Sequence, residues 1–201
     1  DAPAHVGQLT GGGERGGVKL RHQRSSLLDA RRRDQGQRRL KRRHCHRRDR
    51  HTLPSPLIGK TAPIFELTRL DDPTKTFSNS ELAGKPYVLN IWGSWCVGCR
   101  QEHGALLEIA RRGEVPIVGL NYNDEREAAL NWLEQLGNPY AVNAFDGDGR
   151  VGIDWGVYGA PETFLIDANG KVIKKHVAPI TVEIWEQEFV PLLAQARAGS
   201  P

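Results

Sequence analysis

The stretch Trp92-Gly93-Ser94-Trp95-Cys96-Val97-Gly98-Cys99-Arg100, WGSWCVGCR, sets two thiols three residues apart behind a pair of tryptophans. Such a pair serves as a structural bridge, as half of a metal site, or as a dithiol that cycles between oxidation states. Its flanks narrow the choice. Upstream, Tyr87 to Trp92 (YVLNIW) is a mostly apolar run of strand formers, as expected of a central strand covered on both faces. Downstream, Cys96 to about Arg112 has helical spacing, with Leu106, Leu107, Ile109 and Ala110 apolar and Arg111-Arg112-Gly113 as a stop. The dithiol therefore opens a helix, where four backbone N–H groups lack intrahelical partners and the dipole favours negative charge. A thiol there has a depressed pKa and is partly thiolate near neutrality. Positions i and i+3 on one helix face lie roughly 5–6 Å apart, within disulfide reach. Cys96, at the helix tip, is then the exposed nucleophile, and Cys99, one turn in, resolves the mixed disulfide. Zinc would need two further soft ligands, and the only other cysteine is the distant Cys45. A bridge closing so short a loop would stabilise little by chain entropy alone. Redox cycling is the reading that remains.

Further out, VPIVGLNY (Val115 to Tyr122) reads as a second buried strand, with Asn123 as cap of a helix from Asp124 to Leu136 that Gly137 ends. YAVNAF is a short strand, and DGDGRVGIDWG a turn followed by a short helix. ETFLID and KVIKKHV, joined at Ala168-Asn169-Gly170, make a hairpin. Thr181 to Ala198 closes as a helix burying Ile184, Trp185, Val190, Leu192 and Leu193, which Pro191 bends or interrupts. The order β-α-β-α-β-α-β-β-α predicts an α/β fold: a mixed central sheet flanked by helices.

The chain of 201 residues has a net charge of +4, which hides two unlike parts. Residues 1–53 hold 15 Lys/Arg against 5 Asp/Glu, or +10; residues 54–201 hold 13 against 19, or −6. The first part, including RRRDQGQRRLKRRHCHRRDRH, is low-complexity and nearly free of aromatic or β-branched residues, which predicts disorder. A basic arm for nucleic acid or anionic lipid is the sharper alternative, weakened because no aromatic residue is interleaved to stack on bases. His44-Cys45-His46 offers adjacent ligands without a fourth partner, a poor zinc site. No run of about 18 apolar residues is present, and no signal-peptide h-region. No nucleic acid, metal or cofactor is expected beyond the Cys96–Cys99 dithiol itself.

WGSWCVGCRQEH, GVYGAPETFLID, GKTAPIFEL and VGLNYND together resemble the thioredoxin-like thiol:disulfide interchange proteins of cytochrome c biogenesis, the DsbE/CcmG type, from about Leu57 to Ala194. The resemblance implies a thioredoxin fold over residues 54–201, with a central α/β insertion at about residues 123–145. It implies a reductant facing the inner membrane from the periplasm, keeping apocytochrome c cysteines reduced for haem attachment. The partners would be apocytochrome c or an intermediary dithiol protein, with electrons from a DsbD-type membrane thiol reductase. A less specialised TlpA/ResA-like thioredoxin is the second oxidoreductase reading. Members usually begin with an apolar anchor, so the Arg-rich start is expected to be either a misread segment or a genuine tail, with membrane attachment only through an anchor missing from this chain.

The resemblance also places a cis proline at Pro161, facing the dithiol and leaving the backbone of Ala160 free to pair with an extended substrate; a rigid turn before a strand is the plainer alternative. Trp95 would shield the dithiol and offer an apolar docking surface, Tyr158 would join it in substrate binding, and Trp92 would pack in the core. Thioredoxins carry a buried aspartate where this chain has Asn90, and an amide cannot accept and release a proton. Glu102 and Glu162 are the candidate replacements, since a carboxylate in a partly apolar site has a raised pKa. Glu102 could equally be an ordinary helix-surface residue.

Overall fold

The computed structural model describes residues 55–199; the basic tail and His44-Cys45-His46 lie outside the described residues. A five-stranded mixed sheet, in the order β5-β4-β3-β6-β7, forms its centre. Its strands are β3 (Tyr87–Trp92), β4 (Ile117–Tyr122), β5 (Val142–Asp146), β6 (Glu162–Ile166) and β7 (Val172–His176). β3 runs parallel to β4 and antiparallel to β6, and every one of its residues is buried. The helices are α1 (Val97–Arg112), α2 (Arg126–Leu136), α3 (Arg150–Asp154), α4 (Val182–Ile184) and α5 (Val190–Ala198). The thioredoxin-like α/β architecture expected from the sequence is the one observed.

Side chains alternate across a strand, so the sheet has two cores. Val88 and Trp92 join Cys96, Cys99, Leu106, Ile109, Leu165, Ile180, Trp185 and Phe189 on one face. Leu89 and Ile91 join Phe65, Phe77, Leu120, Trp155, Phe164 and Val172 on the other. The dithiol belongs to the first face.

α1 ends as its sequence requires, with Arg111 and Arg112 in the last turn and Gly113 at φ 65°, a left-handed stop that suits glycine. Two features depart from expectation. Asn123 does not cap α2: it takes a left-handed conformation (φ 48°) with its N–H on Asp146 O, and the helix starts two residues later than expected, with Glu125 at a cap position without a side-chain bond. Asp124, which could have capped it, is drawn to Ser94 instead. The closing helix is interrupted near Pro191, as expected: Thr181 caps α4, the chain widens into a π turn over Trp185–Phe189, and α5 resumes with Pro191 in its first turn. A proline has no N–H to donate one turn back and its ring crowds the preceding turn, so the ladder loosens just ahead of it.

The second departure is a small antiparallel pair, β1 (Glu66–Thr68) with β2 (Thr76–Ser78), in the segment leading to the sheet. This segment covers both sheet edges. Gly59 N donates to Val172 O beside β7, and Leu70 N donates to Asn143 O beside β5. Open strand edges invite pairing with other chains, and here part of each is occupied.

Candidate active site

Cys96 is the N-cap of α1 and is joined to Cys99 in a disulfide with Cα atoms 5.3 Å apart. Its Sγ accepts the Cys99 N–H at 3.0 Å, one of the donors that a helix start leaves without an intrahelical partner. The thiol expected to be exposed is not: Cys96 is 5% accessible and Cys99 1%. Cys96 remains the more accessible of the two.

The Ala160–Pro161 peptide is cis. A Cβ built on Gly98, between the cysteines, would lie 2.8 Å from Pro161 Cδ and 3.4 Å from Pro179 Cγ. The proline ring therefore rests against the backbone of the dithiol turn, and glycine at 98 permits that approach. Ala160 is half-buried and precedes the β3–β6 ladder, which begins with Ile91 opposite Glu162. Tyr158 is 68% exposed, its ring 4.7 Å from Lys175 Nζ.

Trp95 is 52% exposed, with its indole lying over Gly93 and its N–H donated to Tyr122 O. It thus offers an apolar face beside Cys96 while leaning toward β4. Ser94 is held by Asp124, whose carboxylate accepts from both the Ser94 N–H and hydroxyl at 2.6 Å and from Asn121 Nδ2 at 2.8 Å. Trp92 packs in the core between Trp132 and Tyr140, with its N–H on Asn143 Oδ1.

The two glutamates part company. Glu102 follows Cys99 by one turn on the same face of α1 and is 1% exposed, not a surface residue. One carboxylate oxygen accepts from Asn90 Nδ2 at 2.9 Å and the other from the Ile180 N–H at 2.8 Å. Burial pushes its pKa up to about 7, against the opposing pull of those two donors. Asn90 donates also to Thr163 Oγ1 at 3.1 Å and accepts from the Tyr140 hydroxyl at 2.8 Å. So the amide that replaces an aspartate does not leave the site without a carboxylate; it holds one contributed by the helix.

Glu162 lies on the other side of the sheet. It stands opposite Ile91 in the β3–β6 ladder and shares that residue's face, away from α1. Its Oε2 is 2.9 Å from Lys175 Nζ in a fully buried ion pair, and its Oε1 accepts the Tyr158 N–H at 2.9 Å. Lys175 Nζ also donates to Gly156 O at 2.9 Å. The expectation that Glu162 sits close to the sulfurs to handle a proton is therefore corrected: it braces the loop that carries Tyr158 and Ala160. Lys175, Tyr140, Thr163 and Asp124 are contributors that sequence reading missed.

Among the described residues no three His, Cys, Asp or Glu side chains gather as metal ligands, and no helix is long and apolar enough to cross a membrane.

Residues 57–189 match the Redoxin family. The thiol:disulfide interchange protein DsbE of Allochromatium vinosum is 46% identical over 153 residues, covering 76% of this chain and 84% of that protein. DsbE of Escherichia coli K12 is 48% identical over 145 residues, covering 72% and 78%. Among solved structures, a thioredoxin-family thiol:disulfide interchange protein of Chlorobium tepidum superposes with a TM-score of 0.56 at 27% identity, over 68% of this chain and 95% of that one.

Proposed function

The chain belongs to the Redoxin family and, within it, to the DsbE-type thiol:disulfide interchange proteins, and from that membership we propose that it is the dithiol reductant of a cytochrome c maturation system. On this reading it works in the periplasm at the face of the inner membrane. It keeps the paired cysteines of apocytochrome c reduced for haem attachment, directly or through an intermediary dithiol protein. A DsbD-type membrane thiol reductase returns it to the reduced form.

The reaction begins with Cys96 as thiolate. Its sulfur attacks one sulfur of a substrate disulfide, forming a mixed disulfide and releasing the second substrate sulfur as a thiolate that takes up a proton. Cys99 then loses its proton and attacks Cys96 Sγ. The Cys96–Cys99 bond forms, the mixed disulfide breaks, and the first substrate sulfur leaves and is protonated. Two electrons pass to the substrate, whose disulfide becomes two thiols.

Each step has a residue suited to it. The helix start and the Cys99 N–H favour a negative Cys96 sulfur. Glu102, with a pKa of about 7 and one turn from Cys99, is matched to taking the resolving thiol's proton. Ala160, ahead of the ladder beside cis Pro161, suits pairing with an extended substrate segment, and exposed Trp95 and Tyr158 suit apolar contact with it.

The observation that carries the proposal is Cys96 at the cap of α1 with its sulfur on the Cys99 amide. The test is Cys99→Ser, which leaves the mixed disulfide unresolved. Capture of apocytochrome c or of a maturation dithiol protein through Cys96 is the expected result. Capture of unrelated periplasmic proteins, together with efficient reduction of insulin by the wild type, would favour the broader thioredoxin reading instead.

A further inference from the structure

An asparagine amide is nearly symmetric in shape and opposite in polarity at its two ends. Asn90, fully buried, is held with its NH2 toward Glu102 Oε1 and Thr163 Oγ1 and its oxygen toward Tyr140. The Glu102 side alone does not dictate this orientation. A carboxylate accepts from the NH2 group, but a protonated carboxyl donates equally well to the amide oxygen, and a threonine hydroxyl serves in either sense. With the Glu102 pKa at about 7, both forms are populated near neutrality.

Tyr140 breaks the tie. Its hydroxyl donates to Asn90 Oδ1 at 2.8 Å, the acceptor that its buried proton finds among the described residues. Were the amide turned over, that buried proton would be left facing an NH2 group, which costs more than an ordinary hydrogen bond contributes. Burial and the nearby charge of Glu102 push the phenol well above its usual range, so it stays a donor at every working pH. We infer that Tyr140 is a positioning residue: its hydroxyl fixes which end of the Asn90 amide faces Glu102, so that the proton-handling carboxylate always meets a donor. For its consequence in the reaction this rests on the reading of Glu102 given above.

The titratable group that faces Glu102 in the oxidised protein is Tyr140, from the segment before β5; Cys99, one turn back on α1, is tied up in the disulfide. Asn90 from β3, Thr163 from β6 and the Ile180 amide are neutral. His103, next along α1, turns instead to the carbonyls of Leu136 and Gly137.

The test is Tyr140→Phe, which keeps the ring that stacks on Trp92 at 5.5 Å. In the oxidised protein, the side-chain carboxyl carbon of Glu102 is followed against pH by NMR. The midpoint is expected to rise by about one pH unit, a tenfold tightening of proton binding, because the released amide can present its oxygen to the protonated form. In an Asn90→Leu background the same change at 140 is expected to move the midpoint by no more than a few tenths of a unit, since there is no amide to orient. An unmoved midpoint in Tyr140→Phe, or an equal rise in both backgrounds, overturns the inference. Melting temperature alone would not separate it from a packing role. The titration reads Glu102 itself, so its result is independent of whether Glu102 takes the Cys99 proton, which exchange rates of Glu102→Gln decide.

Discussion

Glu102→Gln should change how stability depends on pH, in a direction fixed by the burial of the carboxyl. In the folded protein its pKa is raised to about 7 from an ordinary 4.5. Below pH 4.5 the group is protonated in both folded and unfolded chains and exerts no bias. Between 4.5 and 7 the unfolded chain has released the proton and the folded one has kept it, so stability falls as pH rises. Above 7 both forms are ionised, and the folded state carries the full cost of a buried charge. At about 1.4 kcal/mol per pH unit, the 2.5-unit difference between those two values gives a loss of about 3 kcal/mol across the window. Exposure is negligible at this site, so solvent screening takes little from that figure. Glutamine cannot titrate. Urea unfolding of the oxidised wild type and variant from pH 4.5 to 8 should therefore show the variant gaining about 3 kcal/mol on the wild type as pH rises. His103 and the other titrating groups are common to both and cancel in the difference. Parallel profiles for the two proteins would refute the reasoning, because they would mean that Glu102 loses its proton as readily in the fold as in the unfolded chain.

Other expectations follow from the packing around the dithiol. Gly98→Ala sets a methyl group 2.8 Å from the rigid Pro161 ring, so it should destabilise the oxidised protein by about 1–3 kcal/mol despite alanine's better helix propensity, as read by urea unfolding. Lys175→Met leaves the Glu162 carboxylate buried without its cation and should cost about 3–5 kcal/mol; adding Glu162→Leu should recover much of that loss, and no recovery would mean that the pair is not what holds this region. The same double variant should slow exchange with a protein substrate far more than oxidation by a small disulfide, since the brace serves the Tyr158 loop and not the sulfurs. Asp124→Ala removes the acceptor of the two Ser94 bonds and should raise hydrogen exchange at Ser94 while leaving the amides of β7 unchanged.

How far the site could be read from sequence depends on whether local spacing carried the information. Cys96 and Cys99 were legible because strand, dithiol and helix follow one another directly and the chemistry lies in that order. Glu102 was half legible: helical spacing puts it on the Cys99 face, but its burial is set by the Ile180 amide, 78 positions away. Glu162 was misplaced for a definite reason. All five residues of β6 are buried, so the strand lacks the polar–apolar alternation that would tell its two faces apart. Only the pairing of Ile91 with Glu162 decides the side. Asn123 and Asp124 are both reasonable helix caps in isolation, and a serine 30 residues away took the second of them. The β1–β2 pair is two strands of three residues each, too short for periodicity to register.

The division of the two glutamates between sheet faces has a mechanistic consequence. On the α1 face, Glu102, Asn90 and Tyr140 form a buried polar network one turn from Cys99, and under the proposed reaction every bond in it bears on where a proton resides. On the opposite face, Glu162 and Lys175 hold the Gly156–Tyr158 loop by its backbone, and under the same proposal every bond there bears on what surface a substrate meets. The two sets share no residue. They meet at Pro161, whose ring rests on Gly98 of the dithiol turn while the chain on either side belongs to the loop and to β6. Under the proposed reaction, proton handling and substrate recognition are thus separable by mutation in these two sets, and a change at the Pro161–Gly98 contact is expected to disturb both at once.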